Sequence, residues 1–150
     1  LGIELKSEKD DLLRALTVEF SNTIGDYGLL YNINYEHYNY RSGYRYRNLP
    51  IGAFTDNDSQ FLNFKYLQEF NQRLLISNSL FYGKLNKDKS GKNVWGNEGN
   101  KVLGIKSKIR YKLSKNTSVE SNIIIKDEEL IISDVPLDKN ALNVILEYNF

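Results

Sequence analysis

The sequence predicts an all-β protein, and three observations carry that prediction. Apolar residues recur at every second position along most of the 150-residue chain, which is the period of a strand with one apolar face. The links between the predicted strands alternate between short and long. Both prolines, Pro50 and Pro136, lie in long links, so every predicted strand can complete its ladder of backbone hydrogen bonds. Together these features favour an antiparallel outer-membrane β-barrel.

About eight strands are predicted, and each is recognised by the same alternation. Residues 1–6 already alternate apolar and polar side chains, as they would inside a strand. Most of the predicted strands approach the roughly 9–11 residues that a tilted membrane-spanning strand needs. After the opening strand, the apolar series begin at Leu16, Leu29, Leu62, Leu74, Leu103, Val119 and Leu142.

The predicted links differ in length in a regular way. Bacterial barrels have short turns on the periplasmic side and long loops on the outer side, so strict alternation is typical of them. Because the first strand is incomplete, we expect residues 1–150 to be one barrel segment, the C-terminal piece of a longer barrel. Its curved sheet would have open edges at residues 1–6 and 140–150. The short links are 23–27, 71–72 and 114–116, and the long links are 41–59, 84–100 and 127–139.

Composition excludes several classes of function. The 20 Lys and Arg residues nearly balance the 19 Asp and Glu residues, so the composition gives no sign of the excess positive charge that is typical of a protein that binds nucleic acid. The lack of cysteine removes disulfides, thiol catalysis and cysteine-bound metals. His37 is the only histidine, which argues against a histidine-bound metal and a Ser-His-Asp enzyme. We therefore expect a non-enzymatic protein without metal or cofactor.

One predicted strand, at 101–113, carries a row of cations on a single face. In a membrane barrel the polar face lines the lumen, where these cations would pair with carboxylates. On the edge strand of a soluble sheet, the same cations would oppose aggregation between edges. The row comprises Lys106, Lys108, Arg110 and Lys112. The candidate carboxylate partners are Glu19, Glu36, Glu120 and Glu147.

The chain ends in an aromatic residue that follows apolar residues at every second position. This series resembles the C-terminal signature of bacterial outer-membrane barrels, whose last strand is recognised by the barrel-assembly machinery. That machinery and outer-membrane lipid are therefore expected partners. Tyrosines near the ends of other strands, such as Tyr82 and Tyr111, fit the aromatic girdles of a membrane interface. The terminal series is Leu142, Val144, Leu146, Tyr148 and Phe150.

A more specific pattern joins the predicted strand at 29–36 to the strand at 62–67. It resembles the C-terminal part of the capsule assembly Wzi family, best over about residues 28–68. The resemblance implies a longer outer-membrane β-barrel of a Gram-negative bacterium, a surface lectin that retains or organises capsular polysaccharide. It implies no catalytic residues. The pattern consists of Tyr35-Glu36-His37-Tyr38, the loop from Tyr44 to Gly52 that reads YRYRNLPIG, and Asp56-Asn57-Asp58-Ser59.

Loop residues form a candidate site for capsular polysaccharide. Aromatic faces cover the apolar C–H patches of sugars, and arginine binds carboxylates through two parallel hydrogen bonds. In the structural alternative, the arginines pair with lumen carboxylates, the tyrosines form a girdle and Trp95 folds back on its own loop. Asp56-Asn57-Asp58 only superficially suggests a calcium loop, because the glycine and the terminal glutamate are missing. The candidate residues are Tyr44, Arg45, Tyr46, Arg47, Asp56, Asp58 and Trp95.

Two other interpretations remain open from the residues alone. One is an outer-membrane barrel with another task, such as a small porin or a barrel enzyme with a Ser-His pair. The other is a soluble β-sandwich or barrel module whose apolar face packs on a core. A freely soluble monomer that needs no detergent would exclude both barrel interpretations.

Overall fold

The computed structural model describes residues 1–9, 12–25, 45–46, 49–50, 54–87, 93–94, 99–127, 130–132 and 135–148. Their regular secondary structure is entirely β. No helix among these residues has the length and apolar character needed to cross a membrane. The strands are β1 (Gly2–Lys9), β2 (Leu12–Asn22), β3 (Arg45–Tyr46), β4 (Leu49–Pro50), β5 (Gln60–Asn71), β6 (Leu74–Leu85), β7 (Asn100–Lys112), β8 (Thr117–Lys126), β9 (Leu130–Ile132), β10 (Val135–Leu137) and β11 (Asn140–Tyr148).

Seven strands form one antiparallel sheet in the order β1-β2-β5-β6-β7-β8-β11. The short pairs β3–β4 and β9–β10 form two separate ladders inside two of the links. Links at one end of the sheet, the short-turn end, span 10–11, 72–73 and 113–116, whereas those at the long-link end span 23–59, 86–99 and 127–139. Within the described residues, β1 and β11 are the two edges of an open sheet. The predicted all-β class, alternating links and incomplete sheet are confirmed.

The neighbour of β2 in the sheet differs from the one that the predicted strand order implies. β2 pairs directly with β5, from Arg14 opposite Gln68 to Asn22 opposite Gln60, so no strand lies between them. The predicted strand at 29–36 falls outside the described residues, and the predicted short link at 23–27 is the beginning of a long link. The first short link is instead the two-residue one between β1 and β2. Alternation shows that a segment can be a strand, but only the hydrogen-bond ladder decides which strand it pairs with.

One side of the sheet, which we call the apolar face, is covered by exposed hydrophobic side chains. Ile105 is 53% exposed and Leu80 is 48% exposed, although both lie in the interior of long strands. Soluble monomers rarely expose apolar patches larger than a few hundred Å². The 12 residues of β6 rise about 30 Å at a tilt of about 40°, enough for an apolar band of about 25 Å. One apolar row across six of the seven strands is Ile3, Val18, Phe64, Leu80, Ile105 and Ile125.

Aromatic residues border the apolar face at both ends. Phe20 and Tyr82 lie toward the long-link end, and Tyr111 and Tyr148 lie toward the short-turn end. All four are exposed, between 40% and 56%. The tyrosine ring carries a polar hydroxyl and favours the boundary between lipid and water, so Tyr82 at one end and Tyr111 and Tyr148 at the other give the apolar face the form of a membrane-spanning surface with two girdles.

The C-terminal series lies in register on the apolar face. Leu142, Val144 and Leu146 are between 65% and 69% exposed. Their partners on β8 are Ile123, Ser121 and Val119. Phe150 lies outside the described residues, and recognition of the series by the assembly machinery remains a prediction.

Glycine is required on the opposite side of the sheet, which we call the polar face. Phe81 lies opposite Gly104 in the register of β6 and β7. A Cβ atom at Gly104 would overlap the Phe81 ring and would lie 2.9 Å from the backbone oxygen of Ile125. The ring can turn away, but the backbone oxygen cannot, so the glycine allows β7 and β8 to pair beneath an aromatic side chain.

Gly104→Ala is therefore expected to destabilise the protein by about 1–3 kcal/mol, the usual cost of overpacking. The measurement is urea unfolding of the refolded full-length protein, followed by its heat-modifiable gel mobility. Gly2→Ala is the control, because a Cβ there meets no atom closer than 3.7 Å. Equal unfolding midpoints for the two variants would contradict the packing described for Phe81.

Candidate functional site

Glu120 on β8 binds two of the predicted cations of β7, toward the short-turn end of the polar face. Arg110 lies directly opposite Glu120 in register. Its Nη2 lies 2.8 Å from Glu120 Oε2, and its Nε donates to the same oxygen at 2.9 Å. Lys108 Nζ lies 2.7 Å from Glu120 Oε1, to which Asn122 also donates at 3.0 Å. Among the predicted carboxylate partners within the described chain, Glu120 is the one that forms ion pairs with the row.

The other members of the row carry uncompensated charge. Lys106 lies opposite Ser79, and Lys65 follows one strand further along the same row. Among the described residues, neither Lys106 nor Lys112 lies within ion-pair distance of a carboxylate, and both are exposed. Glu19 accepts a hydrogen bond from Asn63 and Glu147 accepts one from Ser118, whereas Glu36 lies outside the described residues. Along β7, the polar face therefore offers free cations, Lys106 and Lys112, on either side of the ion-paired Lys108 and Arg110.

Three phenylalanines, which sequence reasoning missed, form an aromatic cluster toward the long-link end of the polar face. The ring centroids of Phe54 and Phe61 are 4.7 Å apart at 87°, and those of Phe61 and Phe81 are 5.9 Å apart at 21°. Phe54 is 54% exposed. The cluster therefore presents an open ring whose position is supported by a second ring.

A signal for this cluster is present in the sequence. Leu80-Phe81-Tyr82 interrupts the alternation with three successive large hydrophobic residues, so Phe81 must project from the polar face. Phe61 lies opposite Gly83 and Phe81 lies opposite Gly104, so each ring covers a glycine of the neighbouring strand. An aromatic residue opposite a glycine is a recognised arrangement in β-sheets.

The segment 55–59 packs into a buried polar cluster at the long-link end. The Asp56 carboxylate accepts hydrogen bonds from the backbone N–H groups of Asn57 and Val94, each at 2.8 Å. Thr23 Oγ1 donates to the backbone oxygen of Asp56 at 2.5 Å, and Ser59 Oγ donates to that of Asn57 at 2.9 Å. These bonds fix the loop against the end of the sheet and above the small core of Leu85, Val94 and Val102.

This burial changes the role of two predicted binding residues. Asp56 is 0% exposed and Asp58 is 1% exposed, which leaves no surface for direct contact with a polysaccharide. Both have positive φ, 58° and 52°, a conformation that the short polar side chain of aspartate tolerates. The geometry therefore supports a structural role for the pair in shaping the loop.

The remaining predicted binding residues stay predictions. Arg45 and Tyr46 form β3, which pairs with β4 through Arg45 opposite Pro50 and Tyr46 opposite Leu49. Their side chains are not among those described, and Tyr44, Arg47 and Trp95 lie outside the described residues. Sugar binding by these five residues is neither supported nor contradicted by the geometry.

Comparison with known proteins adds to this geometry. The family model of the capsule assembly protein Wzi matches residues 1–134, nearly the whole chain. The chain belongs to the Wzi family. The resemblance noted over residues 28–68 is thus one part of a longer match. No curated protein sequence matches the chain.

A solved structure shares the fold. It is Wzi of Escherichia coli, described as an outer-membrane protein involved in group 1 capsule assembly and as a carbohydrate-binding β-barrel. The TM-score is 0.80 at 17% sequence identity, over 99% of this chain and 33% of that one. This chain therefore spans about a third of the length of that protein. The shared barrel fold, together with the exposed apolar face, argues against a soluble sandwich.

Proposed function

We propose that the protein containing this Wzi-family chain binds capsular polysaccharide at the cell surface and takes part in capsule assembly or attachment, without catalysing a reaction. The family match over residues 1–134 carries the proposal. The description of the Escherichia coli structure as a carbohydrate-binding barrel supports binding rather than catalysis.

The polar face supports the proposal chemically. The exposed ring of Phe54 offers an apolar surface for the C–H groups of a sugar, and Phe61 holds that ring at 4.7 Å. Lys106, two residues beyond Gly104 on the same face, offers a free cation for the carboxylate of an acidic sugar. An aromatic platform with cations beside it suits an acidic polysaccharide.

The test is calorimetric titration of the full-length protein in detergent with purified capsular polysaccharide of the same strain. Phe54→Ala is expected to weaken binding about 2–10-fold, the value of one aromatic contact. Lys106→Gln is expected to weaken binding and to reduce its salt dependence. Arg45→Ala with Arg47→Ala tests the sequence-predicted pair in the same way.

Phe64→Ala is the matched control, because Phe64 is a 43% exposed phenylalanine on the apolar face and should not touch sugar. The absence of binding by the unaltered protein would contradict the proposed function. Binding that survives all of the substitutions would place the polysaccharide site outside the polar face and outside β3.

A further inference from the structure

Two lysines stand side by side just outside the apolar band of the membrane-facing surface. Lys84 on β6 lies directly opposite Lys101 on β7. Along these strands Lys84 shares a face with Tyr82, and Lys101 shares it with Leu103, whereas Leu85 and Val102 point to the polar face and are 1% exposed. The pair lies one step toward the long-link end from the outermost apolar row. That row is Phe20, Leu62, Tyr82 and Leu103.

This pairing is unfavourable on its own. Like charges directly opposite each other in an antiparallel ladder repel and destabilise the pair. Both lysines are exposed, and neither lies within ion-pair distance of a carboxylate in the described part of the chain. Asp127 is the acidic residue at this end of β8, and its Oδ1 accepts the backbone N–H of Leu103 at 2.7 Å. An external anion would relieve the repulsion.

Below the lysines, the apolar face contains a shallow groove. Its volume is about 300 Å³, and Leu16, Phe64, Leu80 and Ile105 contribute its apolar walls. The pair of Leu80 and Ile105 lies two steps along the ladder from the lysine pair, on the same face. The two lysines thus lie at the interface, and the groove lies further into the apolar band along the same pair of strands, β6 and β7.

We propose that Lys84 and Lys101 bind the phosphate of a phosphorylated glycolipid in the outer leaflet, while one acyl chain of that lipid occupies the groove. Long links face outward in bacterial barrels, and Phe20 and Tyr82 mark the interface at that side. Opposite residues have Cβ atoms about 5 Å apart, so two flexible lysine stems reach one phosphate. Gln60, opposite Lys84 on the other side, supplies a further donor.

The lipid phosphate is favoured over a soluble one because the lysines and the groove lie on the same face, two steps apart along the ladder of β6 and β7. This assignment rests on the outer-membrane location of the chain and is independent of polysaccharide binding. The proposed lipid binds on the apolar face, whereas Phe54 and Lys106 lie on the polar face.

The experiment is native mass spectrometry of the full-length protein with lipid A that carries two phosphates or with the same lipid A after removal of its phosphates. The unaltered protein is expected to retain the phosphorylated lipid about tenfold more. Lys84→Gln with Lys101→Gln should abolish that preference, and Lys84→Arg with Lys101→Arg should preserve it. Arg73→Gln with Lys115→Gln, which removes two exposed charges at the short-turn end, should leave it unchanged.

Three results would overturn the assignment. They are equal retention of both lipids by the unaltered protein, an undiminished preference in the glutamine variant, and displacement of the lipid by millimolar inorganic phosphate, which would indicate a site for soluble phosphate. Heat-modifiable mobility verifies that each variant is folded. Capsule binding should be unchanged in the glutamine variant, so the failure of this inference and that of the proposed function are distinguishable.

Discussion

Leu16→Lys is expected to destabilise the folded protein by about 2–4 kcal/mol, the cost of a lysine facing the middle of the hydrocarbon. Leu16 lies in the central row of the apolar face, opposite Tyr66, and is 42% exposed. An ammonium group there would lose its hydration without gaining a partner. Urea unfolding in phospholipid vesicles, followed by heat-modifiable mobility, measures the change.

Leu67→Lys is the matched control, because it makes the same change at similar depth on the other face. Leu67 adjoins Tyr66 and lies opposite Ala15 and Ser77, on the side that carries Lys65 and Glu69. We expect its effect to stay below about 1 kcal/mol, because the lumen admits water. A larger loss for Leu67→Lys than for Leu16→Lys would mean that the two faces have been assigned the wrong way round.

Glu120→Ala is expected to cost about 2 kcal/mol. The substitution leaves Lys108 and Arg110 without their shared carboxylate, at distances that are now 2.7 and 2.8 Å. Removing one partner of a fully buried ion pair costs about 3–5 kcal/mol. We expect less here, because the two cationic side chains are 34% and 42% exposed and water screens part of the interaction.

A double-mutant cycle with Arg110→Ala isolates this interaction. The two substitutions together should cost less than the sum of their separate effects, because each removes the same contact. Glu147→Ala is the control, since its carboxylate accepts only a 3.4 Å hydrogen bond from Ser118 in the described structure. Strict additivity, or an equal loss for Glu147→Ala, would show that Glu120 does not organise the polar face.

The sequence was sufficient to predict the faces of the sheet. Ile105 and Lys106 are consecutive in β7 but point to opposite faces of the sheet. The alternation of apolar and charged residues in the sequence predicted this. The change from short to long links likewise predicted the correct ends for the links at 71–72, 84–100, 114–116 and 127–139, whereas the predicted short link at 23–27 begins at the long-link end. Both features depend on local patterns that the fold does not override.

The sequence did not predict which strands pair or which distant residues form hydrogen bonds with each other. The alternation that begins at Leu29 is as regular as that at Leu62, yet β2 pairs with β5, because register follows the complete ladder. Asp56 looked available for a ligand, but backbone N–H groups 1 and 38 residues away in sequence occupy its carboxylate. The cluster of Phe54, Phe61 and Phe81 could not be predicted without the strand pairing that places Gly83 and Gly104 opposite two of the rings.

The measurement that tests the central claim most directly is the accessibility of single spin labels along β7. The chain contains no cysteine, so one can be introduced at each position from 103 to 111 in turn. In vesicles, labels at 103, 105, 107, 109 and 111 should collide with dissolved oxygen, and those at the intervening positions should collide with a water-soluble nickel complex. Accessibility that alternates in this way at every second residue would show that one face of β7 contacts lipid and the other contacts water. Equal access of the nickel complex to both sets would contradict it.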